Sequence, residues 1–252
     1  MKYSWEKSAF ILIDIALACY LFLAITAFNK PDDQKAVCTQ VDINIEDGKV
    51  EGFLGGTELK EQLKRAKVYP QGQPMKEIDV RKIEETILKN PFVETAECFK
   101  TQGGHIKINL TQRLPVVRVK AENGEDYYVD AHGEMMPNTR YTSDLVVATG
   151  HITHAYAQKK LSRIGTFIMH NAFWHSQIEQ LNVLPDGTME MVPRIGDHIV
   201  YLGNASNIQQ KLDRLEKFYR YGLCVAGWNK YSYINLEFDN QIICKKRRKN
   251  KI

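Results

Sequence analysis

The sequence predicts an α+β protein with a single N-terminal transmembrane helix, a β-α-α-β-β domain, and then a mainly β domain with helical insertions. Three observations carry that prediction. Residues 9–28 form an apolar run without Pro or Gly. Residues 37–115 switch between strand-like and helix-like spacing in the order β-α-α-β-β. Residues 116–246 repeat short alternating strands, broken by glycine turns and by segments with helical core spacing. The boundaries that follow are a tail (1–7), a span (8–28), a linker (29–36), the two domains (37–115 and 116–246) and a basic tail (247–252).

The span comes first. From Ala9 to Phe28 every position is apolar except Asp14 and Thr26, and twenty helical residues reach about 30 Å, the depth of a hydrocarbon core. A cleaved signal peptide competes, with Ala24-Ile25-Thr26 as its cleavage site. The length of the apolar run favours an uncleaved anchor. Lys2 and Lys7 before it and Lys30 and Lys35 after it give only a slight bias toward a cytoplasmic N-terminus. Asp14 has two open readings: contact with a partner helix in the membrane, or access to water at the cytoplasmic face.

Beyond the linker, Val41-Asp42-Ile43-Asn44-Ile45 alternates as a strand, and Asp47-Gly48 signals a turn. Thr57–Leu63 reads as a short helix with Thr57 as candidate cap. Asp79 opens a second helix with Val80, Ile83, Ile87 and Leu88 on one face, closed at Asn90-Pro91. Val93–Lys100 and His105–Gln112 follow as strands joined by a turn at Gln102-Gly103-Gly104.

In the second domain Tyr127–Asp130 and Met135-Met136-Pro137 form a hairpin about Gly133. Leu145–Gly150 is an apolar strand. Ala155–Leu161 and Ala172–Leu181 are predicted helices, Met189–Val192 and His198–Gly203 strands. Ile208–Tyr221 is an amphipathic helix with Leu212, Leu215 and Phe218 at core spacing. Tyr231–Phe238 and Gln241–Lys245 form a last hairpin turning at Asp239-Asn240.

Two stretches carry a resemblance. Lys89–Ala96 (Lys-Asn-Pro-Phe-Val-Glu-Thr-Ala) and Ile106–Val116, which ends Thr-Gln-Arg-Leu-Pro-Val, resemble the end of a POTRA domain in its FtsQ/DivIB form. Gln112 stands where many relatives have Glu, and Thr101–Gly104 replaces a Trp-Pro turn. The order of anchor, POTRA domain, Arg-x-Pro, hairpin, helical insert and terminal hairpin extends the resemblance to about Lys246.

Composition excludes several function classes. The chain of 252 residues is 44% hydrophobic and 25% charged, an ordinary globular balance. Much of its net charge of +4 comes from Lys245, Lys246, Arg247, Arg248, Lys249 and Lys251, so no folded domain carries the basic surface nucleic acid requires. Cys19, Cys38, Cys98, Cys224 and Cys244 form no Cys-x-x-Cys pair, so a structural zinc site has no support and buried free thiols are the default, with pairing of the last four open. His151-x-x-His154 lacks the Glu of a metalloprotease helix. His170 and His175 flank Phe173 and Trp174 in a predicted helix. No nucleophile elbow or phosphate loop is present, and Asp130 and Asp186 read as turn formers before glycine. The expectation is a protein with no cofactor, no metal, no catalytic residues and no small-molecule substrate.

A binding role has more support, since a terminal hairpin offers an open sheet edge for strand addition. The resemblance implies a bitopic inner-membrane scaffold of the divisome, N-terminus cytoplasmic and domains periplasmic, gripping FtsB in complex with FtsL and linking early and late division components at the septum. FtsK and FtsW/FtsI are further candidate partners. Tyr233, Asn235, Glu237 and Phe238 lie on its first strand. Gln241, Ile242, Ile243, Cys244 and Lys245 form the candidate edge. Glu237 stands where relatives carry Arg, which reverses a charge. Arg113, Pro115 and Val116 are expected to fix the angle between the domains, and the basic tail to speed encounter with an acidic partner. The alternatives are a POTRA-containing secretion or transport component handling extended chains, and a secreted cell-wall enzyme.

Overall fold

The computed structural model describes residues 5–28, 36–46, 54–139 and 144–248. The Asp47-Gly48 turn, most of the 29–36 linker and Lys249 and Lys251 lie outside them. The first helix, α1, runs Trp5–Phe28, with side chains described from residue 10 to 25. That stretch is about 24 Å of helix, and no helix among the described residues is long and apolar enough to cross a membrane. Asp14 lies within it, exposed.

The chain divides into two compact units: residues 1–45, 56–87 and 96–110, and residues 46–55, 88–95 and 111–252. The predicted β-α-α-β-β order is present, with the bulk of each element in the first unit: β1 (Gln40–Ile45), α2 (Gly56–Arg65), α3 (Val80–Leu88), β2 (Val93–Thr101) and β3 (His105–Gln112). Asp79 caps α3 by accepting the Lys82 amide at 3.2 Å. The strands order β1-β3-β2, with β1 parallel to β3 from Gln40↔His105 to Ile45↔Leu110. A parallel pair needs a crossover, and α2 and α3 make it. Leu59 and Leu63, one turn apart on α2, and Ile83 and Ile87 on α3 are fully buried, as are Ile106 and Ile108 of β3.

The second unit is built on a nine-stranded mixed sheet in the order β12-β11-β10-β9-β8-β7-β4-β5-β6. Its strands are β4 (Pro115–Ala121), β5 (Asp126–Asp130), β6 (Met135–Pro137), β7 (Val147–Gly150), β8 (Ile178–Val183), β9 (Met189–Pro193), β10 (Ile199–Gly203), β11 (Tyr231–Asn235) and β12 (Ile243–Lys246). Two parallel pairs explain the helical insertions. β7 runs parallel to β8, and the crossover between them holds α4 (His154–Tyr156), a π-helical turn at Ala157–Leu161, α5 (Ser162–His170) and α6 (Ala172–Gln177). β10 runs parallel to β11, and that crossover holds α7 (Ile208–Lys217), a π-helical stretch at Phe218–Leu223 and α8 (Cys224–Ala226). Trp174, Leu161, Leu215 and Tyr219 from these insertions are buried in one core with Val119, Leu181, Met191, Val200 and Ile234 of the sheet.

Two expectations need correction. The helix expected over Ala172–Leu181 ends at Gln177, and Ile178–Val183 is strand β8. The helix expected to stop at Leu161 continues through α5 to His170. Gly165 lets α5 lie against β4, since a Cβ there would stand 2.9 Å from the Val116 carbonyl oxygen.

Candidate partner-binding site

The terminal hairpin closes one side of the large sheet. β11 and β12 pair antiparallel, with Tyr233↔Lys245, Ile234↔Cys244 and Asn235↔Ile243 in register. Among the described residues β12 has β11 on one side and no strand on the other. The Arg247 amide donates to the Lys230 carbonyl at 3.0 Å. Amide direction alternates along a strand, so the amides of Lys245 and Ile243 also face β11, while those of Cys244 and Lys246 face outward. The register shift opposite Lys245 and Lys246 falls on the β11 side, between Tyr231 and Tyr233, and leaves that alternation intact.

The edge strand is displaced from its expected place. It begins at Ile243, and Gln241 and Ile242 belong to the connection before it. Glu237 and Phe238 likewise follow the end of β11 at Asn235. Arg214 of α7 explains the long connection. Its guanidinium donates to the carbonyls of Leu236 at 2.9 Å and Phe238 at 2.8 Å, holding the chain off the sheet after Leu236. The Glu237 amide donates to the Asn235 side chain at 2.7 Å. Asn240, at φ 61°, then takes the left-handed turn back.

The residues of this region divide by face. Ile234 and Leu236 are buried. Tyr233 stacks on Tyr201 with centroids 6.3 Å apart and donates to Glu190 at 3.1 Å. Burial, with the Glu190 carboxylate beside it, holds its phenol up at about 12. Phe238 and Ile243 remain about half exposed, at 47% and 48%. A groove of about 480 Å³ opens between α7 and the connection, lined by Arg214, Lys217, Phe218, Tyr221 and Ile242 among others.

The far end of β12 is clamped. Arg247 forms an ion pair with Asp197 at 2.9 Å and donates to the Asp197 carbonyl. Beside it His198, 4% exposed, meets the Tyr219 hydroxyl at 2.8 Å through Nε2, while its Nδ1 is buried without a partner. Burial, and then the Arg247 guanidinium, pushes the His198 pKa down.

Arg113, Pro115 and Val116 do not join this site. The Arg113 amide donates to Phe92, and its guanidinium reaches Val93 and the buried Asp130 carboxylate, each at 3.4 Å. Pro115 opens β4 opposite Asp130, and Val116 is buried. Asp130 and Asp186 shape turns as predicted: Asp130 accepts the amides of His132 and Glu134, and Asp186 that of Thr188.

The histidine pair gains partners that its own sequence neighbourhood lacks. His151 pairs with Glu122, and His154 with Glu125 at 3.0 Å. These are two separate pairs, and no three His, Cys, Asp or Glu groups among the described residues stand together as a metal site. All five cysteines are free thiols, with Cys38 and Cys98 buried. Burial, then Glu84, lifts Cys98 to about 12, leaving it protonated and unreactive at neutral pH. Sequence reasoning missed Lys246 as an outward donor, and Arg214 as the tie on the connection.

Comparison with known proteins adds two matches. Residues 114–245 match the family model described as FtsQ/DivIB, C-terminal related, and residues 36–111 match a POTRA-like domain. The chain is also 24% identical over 194 residues to the cell division protein FtsQ of Rhodothermus marinus, covering 72% of this chain and 71% of that protein.

Proposed function

We propose that this chain, which belongs to the FtsQ/DivIB family of cell-division proteins, acts as a non-enzymatic scaffold of the division machinery at the septum. In this reading α1 anchors it in the inner membrane, with the N-terminus cytoplasmic and both units periplasmic. β12 takes up FtsB, in complex with FtsL, by strand addition and so links early and late division components. FtsK and FtsW/FtsI are further proposed partners.

One observation carries the strand-addition reading: the outward amides of Cys244 and Lys246 lie on a sheet edge with no neighbouring strand among the described residues. Unpaired edge groups recruit extended chains. The half-exposed Ile243 and Phe238 add apolar contact area beside them. Support for the anchor comes from α1, whose bulky apolar side chains from Phe10 to Ile25 are all exposed, Leu21 least so at 52%. A helix whose exposed side chains are apolar on every face, Asp14 excepted, favours an apolar surround.

The test is capture of the extracytoplasmic segments of FtsB and FtsL from the same cell by the full chain. Lys246→Pro removes an outward donor and leaves the bonds to β11 intact, whereas Ile243→Pro breaks the bond to β11 itself. Capture by the wild type and its loss in a folded Lys246→Pro variant is the expected result. Absence of capture by the wild type at high concentration would sink the scaffold reading in favour of a transport component handling extended polypeptides.

A further inference from the structure

A second cleft lies in the large unit, formed by residues of both crossovers. It measures about 610 Å³. One rim is the first crossover, with Lys159 and Lys160 on the π-helical turn and Arg163 on α5. The other is the β10–α7 connection at Asn204, Ala205 and Ser206, with Ile208 and Gln209 of the first turn of α7. Ile164, Phe167 and Ile208 supply apolar lining.

Three cations line this cleft. No Asp or Glu lines it. Elsewhere in the same unit Arg113, Arg118, Arg194, Arg220 and Arg247 each hold a carboxylate. Lys159, Lys160 and Arg163 are all exposed, and among the described residues none of the three forms an ion pair. Lys160 lies 4.8 Å from the Tyr156 ring centroid, a contact that leaves its charge uncompensated. Three like charges at adjacent positions repel one another, a cost that an anionic occupant removes.

The opposite rim adds to the positive field. α7 has ten residues, and Asn207 at its start sits at φ 53° and gives no side-chain cap, so the first-turn amides keep their partial positive charge. Beneath them Lys211, 4% exposed, donates to the carbonyls of Leu202 at 2.7 Å and Asn204 at 3.0 Å. It pins the connection that forms the rim, while the Glu237 and Asp239 carboxylates act on its own charge.

We infer that this cleft is a docking site for an acidic segment of a partner polypeptide, one carrying carboxylates beside a large apolar side chain. The carboxylates meet Lys159, Lys160 and Arg163, and the apolar side chain rests on Phe167 and Ile164. The apolar lining beside the cations favours such a segment over a bare anion, which gains nothing from it. This site is separate from the β12 edge and does not depend on it.

The test uses the full chain in detergent and a fluorescent peptide, Asp-Glu-Phe-Glu-Leu-Asp, followed by anisotropy. Saturable binding is expected. Lys159→Gln, Lys160→Gln and Arg163→Gln together should weaken it about tenfold. Lys60→Gln, Arg65→Gln and Lys67→Gln, which make the same change in net charge on the first unit, should shift it less than about twofold. Replacing the peptide's Phe and Leu by Ser should cost a further several-fold. Equal loss in both triple variants, no saturable binding, or indifference to the Ser replacements would overturn the proposal. So would displacement of the peptide by inorganic phosphate at comparable concentration, which would mark a simple anion site. Displacement by phosphatidylglycerol vesicles in the wild type, absent from the cleft variant, would assign the surface to the membrane instead.

Discussion

The two edges of the nine-stranded sheet are built to opposite ends. β6 has three residues, and its last, Pro137, has no amide to offer. Met136 of β6 is buried, so the strand serves the core and offers little for another chain to read. β12 has four residues, no proline, and outward donors at Cys244 and Lys246. Its side chains, apart from Cys244, are exposed. A sheet must end somewhere, and an edge without proline, weakly buried and with outward donors can still take up another strand, although its short length and its lysines limit which strands it accepts. The contrast leaves one end of the sheet with outward backbone donors and the other with few, which is why the proposed strand addition is assigned to β12.

The largest effects should come from the cores beneath the two edges. Ile234→Ala under the open edge and Met136→Ala under the closed one should each cost about 2–5 kcal/mol in denaturant unfolding. Only Ile234→Ala should also lose partner capture at temperatures where both variants stay folded. Equal loss from both would erase the distinction. Next comes the backbone itself: Lys246→Pro should weaken capture by at least about tenfold, while Met135→Pro on β6 leaves it unchanged.

A pH series probes the anchoring of the open edge. His198 has a depressed pKa in the fold, so the unfolded chain takes up its proton first, near pH 6.5. Stability contributed there is therefore present above pH 6.5, falls as pH drops through that value, and levels off below the folded pKa. Urea midpoints between pH 7.5 and 5 should fall less steeply for His198→Gln than for the wild type. The smallest effect belongs to the charges on the strand. Lys245→Gln with Lys246→Gln should slow association several-fold in stopped-flow measurements, flatten its salt dependence and leave dissociation nearly unchanged.

Much of this comparison could be read from the residues, and the exceptions have physical causes. The β-α-α-β-β order was legible because Ile106, Ile108 and Leu110 alternate cleanly and Asp79 and Pro91 mark the ends of a helix. Strand β8 was not. Its register shifts between Ile178 and Gln180, so its first two buried residues, Ile178 and Leu181, fall three apart and imitate a helical face, and strand alternation resumes only at Val183. The helix expected to stop at Leu161 runs on through Gly165, a weak helix former whose place there is explained only by the close approach of β4. The open edge was identified but set two residues early, because Lys245 and Lys246 carry no apolar pattern and pair through backbone alone. Arg214 could not be assigned to the connection at all, since its acceptors are carbonyls more than twenty residues away.

The lysines of β12 have a consequence for crowding at a septum. Two copies meeting edge to edge would bring Lys245 and Lys246 of each strand, with Arg248 just beyond, alongside those of the other, and like charges in register repel. A strand proposed to take up an unlike chain would therefore discourage its own duplication. Fidelity against self-templated fibres is written into side chains that add little to the fold, and raising the ionic strength should erode that fidelity while the fold itself stays intact.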